Sequence, residues 1–251
     1  MQRFLILFIV AGAIATGTGC KADNASASAS QTDPNPAPLQ KRADAAESSA
    51  TPAPLPPAPP PAVPLAHDDR PLVVCFGDSL TAGYGADEGQ SYPDFLQKDL
   101  DADGFRYRVV NEGVSGNTTK DAVDRLTKVE ALKPALVVLE FGGNDGLRGF
   151  KIETTRTNLG TMIAGLKGSG AKVVLAGMTL PPDYGPDYVS RFTASYPTLG
   201  RKFGVPVLPF LLKDVYGVNG LMQADNIHAT NKGNEVVARN VLPLVEPLLK
   251  K

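Results

Sequence analysis

The chain has 251 residues, of which 43% are hydrophobic and 20% are charged, and its formal net charge is −1. The charges form no basic run or patch, so we expect no nucleic acid among its partners. Two cysteines are too few for a disulfide framework, so the fold must depend on an apolar core.

The first 19 residues look like an export signal. Arg3 precedes an apolar run of 11 residues, 4–14, which is too short to span a bilayer comfortably. Small residues then lead to Cys20, as in a lipobox, although Gly17 replaces the usual leucine. We predict a lipoprotein-type signal peptide over 1–19 with Cys20 as the lipidated residue. The alternative is an ordinary secretory signal in which Cys20 is incidental.

Residues 20–70 have a composition that does not favour folding. They are mostly Ala, Pro and Ser, and 11 of the 22 prolines in the chain lie between Pro34 and Pro64. Such a segment cannot bury enough apolar surface to offset its conformational entropy. We therefore predict a disordered linker over 20–70 and a single folded domain over 71–251.

Strand-like and helix-like patterns alternate through this domain. Short apolar runs predict strands, and amphipathic stretches with capping residues predict helices. The predicted strands are 72–76, 107–111, 136–139, 172–176 and 205–208, and the predicted helices are 93–100, 118–129, 154–167, 186–203 and 231–249. The alternation indicates an α/β fold, a three-layer α/β/α sandwich around a parallel sheet of about five strands.

A serine follows the first predicted strand. The sequence Gly77-Asp78-Ser79-Leu80 places Ser79 just past the carboxyl end of that strand, where open α/β sheets carry their chemistry. Turns also use Asp, Ser and Gly for conformational reasons, so Ser79 alone is only a candidate nucleophile. Cys75 is another candidate, but a cysteine inside a buried strand is more often part of the core.

Beyond the last predicted strand lies the only histidine of the predicted domain, His228. Asp225 precedes it by three residues, a spacing that places both side chains on one face of a helical turn. Asp225 can then orient the imidazole, leaving the other ring nitrogen as a base for Ser79. The competing interpretation is that Asp225 only caps a turn before the last helix.

Two further loops carry groups that suit acyl transfer. Gly116 follows the second predicted strand and Asn144 follows the third. Ester hydrolysis develops negative charge on the carbonyl oxygen, which preorganised N–H donors must stabilise. A glycine lets the backbone N–H approach closely, and an asparagine amide can donate from its side chain. Either residue alone is usually a turn former, but here both loops should meet Ser79 at one sheet edge.

Together these residues resemble the SGNH/GDSL hydrolase superfamily. Four blocks occur in order, namely Gly77-Asp78-Ser79-Leu80, 115–119, 142–145 and Asp225-x-x-His228. The segments 143–150, 180–185 and 207–210 resemble most closely the bacterial periplasmic thioesterase/arylesterase/lysophospholipase branch. The resemblance implies a flavodoxin-like fold and a periplasmic protein. The signal-like N-terminus and the linker lie outside this match, and from them we expect an exported cell-envelope protein that is anchored to a membrane by lipid at Cys20.

The resemblance also implies a serine esterase that uses neither metal nor cofactor. It would hydrolyse aryl, fatty-acyl or lysophospholipid esters and thioesters through an acyl-serine intermediate. Ser79 is the implied nucleophile, His228 the base and Asp225 its orienting acid, with Ser79, Gly116 and Asn144 as oxyanion donors. An apolar groove for the acyl or aryl group is predicted to contain Leu147, Phe150, Pro181 and Tyr184. The alternatives are a carbohydrate acetylesterase or acyltransferase on the same fold, and a non-enzymatic lipoprotein that binds cell-envelope components.

Overall fold

Five short segments form a parallel sheet in the computed structural model, which describes residues 68–251. Their order in the sheet is β2-β1-β3-β4-β5. The chain therefore builds outward from β1 first on one side and then on the other, which creates a topological switch point between β1 and β3. The strands are β1 (Leu72–Gly77), β2 (Arg108–Gly113), β3 (Leu136–Glu140), β4 (Lys172–Ala176) and β5 (Val207–Leu208).

Helices cover both faces of this sheet, which confirms the three-layer α/β/α prediction. α2 packs on α9 and β2, while α6 packs on α3, α4, α8 and β4. The central strand β3 is buried along its whole length, as expected when helices cover both of its faces. The helices are α1 (Ser79–Ala82), α2 (Tyr92–Ala102), α3 (Thr119–Asp124), α4 (Leu126–Ala131), α5 (Gly143–Leu147), α6 (Ile152–Gly168), α7 (Pro186–Thr193), α8 (Ser195–Phe203) and α9 (Asn231–Val245).

The helix predicted over 118–129 is two helices in the structure, α3 and α4, which meet at Arg125. Arg125 leaves the helical conformation, with φ −110° and ψ 8°. Its guanidinium donates to the carbonyl oxygens of Gly77 and Glu112, at 2.8 and 2.9 Å, and lies 4.4 Å from the ring centroid of Phe76. These contacts tie the carboxyl ends of β1 and β2 together, and apolar periodicity carries no signal for them.

Proline explains most of the other differences between predicted and observed elements. The helix predicted over 186–203 divides into α7 and α8, because Pro197 has no N–H and cannot donate the helical hydrogen bond to the carbonyl four residues earlier. Pro197 lies in the first turn of α8, where that hydrogen bond is not needed. The last helix ends at Val245 and continues as a 3₁₀ turn over Glu246–Leu248, which contains Pro247. Strand β5 has only two residues and begins after Pro206.

Several predictions concern residues 1–67, which lie outside the described residues. They are the signal peptide over 1–19, the lipidated Cys20 and almost all of the linker over 20–70. Within residues 68–251, no helix is both long enough and apolar enough to cross a bilayer.

Candidate active site

Ser79 is the first residue of α1, directly beyond β1 and beside the switch point of the sheet. Asp78 caps this short helix, its Oδ1 accepting a hydrogen bond from the Leu80 N–H at 3.1 Å. The turn requires glycine at position 77, because a Cβ there would lie 1.9 Å from Thr81 Oγ1 and 2.5 Å from Glu140 Oε2. The backbone therefore presents Ser79 on a tightly packed turn.

The structure brings His228 and Asp225 to Ser79 in a continuous chain of hydrogen bonds. His228 Nε2 lies 2.8 Å from Ser79 Oγ, and His228 Nδ1 lies 2.7 Å from Asp225 Oδ2. Residues 79 and 228 are 149 positions apart in the chain, so only the tertiary fold makes this contact. Hydroxyl, imidazole and carboxylate thus have the relative positions of a nucleophile, a base and an acid that orients the base.

The expectation that Asp225 and His228 share a helical turn is wrong. They lie in a loop whose ends are joined by a bridge between Met222 and Ala229. Asp225 Oδ1 accepts hydrogen bonds from the N–H groups of Ile227 and His228, at 2.9 and 3.1 Å, which closes an Asx-type turn. The N-cap of α9 is Thr230 rather than Asp225, so Asp225 does not start that helix.

This turn keeps the Asp225 carboxylate charged. Partial burial raises its pKa, but the hydrogen bonds from the His228 ring and from two backbone N–H groups outweigh that effect and lower the pKa to about 2. One carboxylate oxygen serves the turn and the other serves the imidazole. Asp225 therefore favours the tautomer with hydrogen on Nδ1, which leaves a lone pair on Nε2 facing Ser79.

Asn144 lies in the first turn of α5, across the switch point from Ser79. Its side-chain Nδ2 donates to Asp78 Oδ2 at 3.1 Å and to the Asn117 carbonyl at 3.0 Å. Gly116 lies in the neighbouring loop with φ +81°, and a Cβ there would meet nothing within 4 Å. The left-handed backbone is a conformation that favours glycine at this position.

Sequence reasoning missed a buried acid beneath Ser79. Glu140 ends β3 and is fully buried, and its Oε2 accepts hydrogen bonds from the Asp78 N–H at 3.1 Å and from the Thr81 hydroxyl at 2.9 Å. Burial and repulsion from Asp78 raise the pKa of Glu140 well above its ordinary value. Burial also raises the pKa of Asp78 to about 6. A carboxylate residue at the end of an otherwise apolar strand was the available signal.

A second missed residue ties the histidine loop to the nucleophile loop. Gln223 Nε2 donates to the carbonyl oxygens of Tyr84 and Ala229, at 2.7 and 2.8 Å, and the Gln223 N–H donates to the His228 carbonyl at 2.8 Å. The Tyr84 ring packs on the imidazole, with 4.6 Å between ring centroids. The position of His228 therefore depends on contacts with the segment that follows α1.

An apolar cavity opens beside Ser79. Of the residues predicted to bind substrate, Leu147 and Pro181 lie in its wall. Phe150 and Tyr184 do not: Phe150 is 44% exposed, and the Tyr184 hydroxyl donates to the Leu147 carbonyl at 2.8 Å, so Tyr184 supports the wall from behind. Side chains in the wall that sequence reasoning did not assign to substrate binding are Leu80, Met178, Thr179, Leu180, Phe210, Leu212, Tyr216, Asn226 and Ile227.

A serine, histidine and aspartate in hydrogen-bond contact at the switch point of an open parallel sheet define a serine hydrolase. The family follows from comparison with known proteins. Residues 75–236 match the GDSL-like Lipase/Acylhydrolase family. The chain belongs to this family, as its resemblance to the SGNH/GDSL hydrolases implied, and it is an ester hydrolase.

Individual relatives agree with this assignment. The chain is 43% identical over 174 residues to Esterase TesA of Pseudomonas aeruginosa, covering 69% of this chain and 87% of that protein. It is 34% identical over 178 residues to Thioesterase 1/protease 1/lysophospholipase L1 of Escherichia coli K12, covering 70% and 84%. A solved structure of TesA aligns with a TM-score of 0.69 and 42% identity, covering 71% of this chain and 99% of the other.

Proposed function

We propose that the protein hydrolyses esters and thioesters of apolar acyl or aryl groups through an acyl-enzyme on Ser79. One observation carries this proposal, namely the hydrogen-bond chain from Asp225 through His228 to Ser79 Oγ at the mouth of an apolar cavity. The nucleophile and its base are already within reach of each other, and an apolar group can occupy the adjacent cavity.

Acylation uses each of these groups in a defined role. His228 Nε2 takes the Ser79 hydroxyl proton as Oγ attacks the carbonyl carbon, and the Asp225 carboxylate stabilises the imidazolium that forms. The N–H groups of Ser79 and Gly116 and the Asn144 side chain donate to the oxyanion. When the tetrahedral intermediate collapses, the bond to the alcohol or thiol breaks and His228 returns the proton to that leaving group.

Deacylation repeats the sequence with water as the nucleophile. His228 takes a proton from water as the hydroxide oxygen attacks the acyl carbon, and the same donors stabilise the second oxyanion. His228 then protonates Ser79 Oγ as the acid is released. The residues bring about both steps by covalent catalysis at Ser79, by proton transfer through His228 and by hydrogen bonding to the oxyanion.

The cavity wall favours an acyl or aryl group over a sugar. Leu147, Met178, Leu180, Phe210 and Leu212 contribute apolar side chains to it. Apart from Asp78, Ser79 and Asn144, the polar side chains of the wall are Thr179, Tyr216 and Asn226. Most of the wall is apolar, and unpaired polar groups of a sugar would be costly against it. Relatives named esterase, thioesterase and lysophospholipase support the same substrate class.

The decisive experiment compares the full chain with Ser79→Ala on nitrophenyl esters from acetyl to palmitoyl, on an acyl-CoA and on a lysophospholipid. Ser115→Ala is the matched control, because Ser115 is an exposed serine of the neighbouring loop. We expect Ser79→Ala to lose at least about 10³-fold in kcat and Ser115→Ala to retain activity. Equal rates for the wild type and Ser79→Ala on every substrate would refute the proposal.

We also propose that the protein is exported and anchored to the cell envelope by a lipid on Cys20. The apolar run 4–14, the small residues before Cys20 and the Pro-rich segment that follows support this. Metabolic labelling with radioactive palmitate should mark the full chain and not Cys20→Ser. Equal labelling of both chains, or labelling of neither, would contradict lipidation at Cys20.

A further inference from the structure

A pair of buried carboxyl groups lies beneath the nucleophile, and the proposed reaction uses neither of them. Glu140 is fully buried, and Asp78 is 2% exposed. Glu140 Oε2 accepts two hydrogen bonds, whereas its Oε1 has no hydrogen-bond partner among residues 68–251. A buried carboxyl with an unpaired oxygen is costly, so its presence at an active site requires a reason.

Hydrogen bonds lead from Glu140 to both groups that must meet the substrate. Glu140 fixes the backbone of Asp78 through the Asp78 N–H, at 3.1 Å. The Asp78 carboxylate then holds two elements at once: Oδ1 accepts from the Leu80 N–H at the start of α1, and Oδ2 accepts from Asn144 Nδ2. A displacement of Glu140 is therefore passed to the turn that carries Ser79 and to the amide of Asn144.

The two carboxyl groups of the pair differ in how readily they ionise. No Lys or Arg side chain among the described residues forms a salt bridge with either carboxyl, so a doubly ionised pair would be strongly disfavoured. Burial raises the pKa of Glu140 well above its ordinary value, while burial raises the pKa of Asp78 only to about 6, so Asp78 is the group that ionises. The other titratable groups that face the pair are His228, Tyr92 and Tyr196.

Asp78 also determines which amide hydrogen of Asn144 is available. Both hydrogens are engaged, one by the Asp78 carboxylate and one by the Asn117 carbonyl. A charged acceptor holds a hydrogen bond about twice as strongly as a neutral one. The hydrogen on Asn117 is thus the one released to an oxyanion, while Asp78 keeps the amide oriented.

We propose that Glu140 is a positioning residue of this active site, which acts through Asp78 to hold Ser79 and Asn144 in their productive arrangement. The proposal rests on the proposed ester hydrolysis and adds a residue to it. A purely structural Glu140 would affect stability and leave the turnover of folded enzyme unchanged. A positioning Glu140 affects kcat and leaves KM nearly constant.

The test uses Glu140→Leu, which removes the acceptor, and Glu140→Gln, which keeps an acceptor oxygen and is neutral. Hydrolysis of nitrophenyl butyrate is measured in the full chain. We expect Glu140→Leu to lower kcat by about 10- to 100-fold with KM changed by less than about twofold, since misplacement by about 1 Å costs about 10²-fold. Glu140→Gln should stay within about threefold of the wild type. If Glu140→Leu does not fold, Glu140→Asp withdraws the carboxyl by one methylene and should also lower kcat, by about tenfold.

A double-mutant cycle tests whether Glu140 acts through Asp78. Asp78→Asn presents an N–H to the Asn144 amide and should itself lower kcat by about tenfold or more. Adding Glu140→Leu to Asp78→Asn should cost less than about a further twofold, because both changes interrupt one path. Multiplicative losses would refute the path.

Tyr196→Phe is the matched control. The Tyr196 hydroxyl is buried and donates to the Phe141 carbonyl, next to Glu140 in the chain, but makes no hydrogen bond to the nucleophile turn. It should lower the unfolding midpoint without changing kcat. Folded Glu140→Leu and Glu140→Asp that both keep more than half of the wild-type kcat would overturn the inference.

Labelling of Ser79 by an alkylphosphonate gives a second measure of the same site. Its rate in the same variants reports the reactivity of Ser79 Oγ without an ester substrate. A failure of the proposed function therefore stays distinguishable from a failure of the inference.

Discussion

Replacing Asp225 by asparagine separates the two tasks that this side chain performs. Oδ1 holds the turn through two backbone N–H groups, and Oδ2 accepts from His228 Nδ1 at 2.7 Å. In Asp225→Asn the carbonyl oxygen can keep the turn, and the amide N–H then faces Nδ1. Nδ1 must accept, so the ring hydrogen moves to Nε2 and removes the lone pair that faces Ser79.

The expected effects on activity and stability differ in size. Loss of the correct tautomer removes general base catalysis, which contributes about 10²- to 10⁴-fold, so the activation barrier should rise by about 2.7 to 5.5 kcal/mol. The free energy of unfolding should change by less than about 1 kcal/mol, because the turn survives and the lost ion pair is partly exposed. Asp225→Ala removes the turn acceptor too and should cost about a further 1 to 2 kcal/mol of stability.

The assay combines kcat/KM for nitrophenyl butyrate with urea unfolding of the same preparations. Asp225→Asn should be nearly inactive and nearly as stable as the wild type, whereas Asp225→Ala should be impaired in both. If folded Asp225→Asn kept more than about a tenth of the wild-type kcat/KM, the orienting role assigned to Asp225 would be refuted.

Three further outcomes follow from the same geometry. Leu147→Trp should narrow the cavity and shift the preferred acyl chain to shorter lengths, as measured by hydrolysis of nitrophenyl esters of increasing chain length. Phe150→Ala, which lies outside the cavity, should leave this chain-length profile unchanged. Matching profiles in both variants would contradict this. Tyr184→Phe loses the hydroxyl that donates to the Leu147 carbonyl and should raise KM for long-chain esters by about two- to tenfold, equivalent to about 0.4 to 1.4 kcal/mol, with kcat nearly constant. A change in kcat alone would contradict it. Because burial raises the pKa of Asp78 from 3.8 to about 6, the folded protein retains a proton that the unfolded chain has lost, so stability should fall by about 3 kcal/mol as the pH rises from about 4 to 6. Urea unfolding across this range should show a smaller fall in Asp78→Asn, and an equal fall in both proteins would count against the raised pKa.

The sequence predicted the sheet well because buried strands leave a local signature. The first, third and fourth strands are continuous apolar runs, and each appears within one residue of its predicted limits. The sequence predicted the limits of helices less well wherever one residue contacts segments that are distant in the chain. Arg125 interrupts a helix to reach the ends of two strands, and periodicity cannot express such a contact.

The candidate site divides in the same way. Ser79, Asn144 and His228 are found from local patterns, because each follows a strand whose carboxyl end must lie at one edge of a parallel sheet. Glu140 and Gln223 carry no such pattern. The hydrogen bonds of Glu140 and Gln223 depend on which backbone groups the fold brings within about 3 Å of their side chains. No spacing of residues in the sequence predicts these contacts.

The sequence by itself therefore determined the fold class, the family blocks and the chemical kinds of residue that meet at the sheet edge. These are local properties, set by hydrophobic periodicity and by turn chemistry after each strand. Only the tertiary structure decided that Asp225 acts from an Asx turn and not a helix, and that Leu147 lines the cavity while Tyr184 supports it. It also placed the carboxyl of Glu140 beneath the turn that carries Ser79. Hydrogen-bond geometry and burial arise between segments that are distant in the chain, so they exist only once the chain has folded.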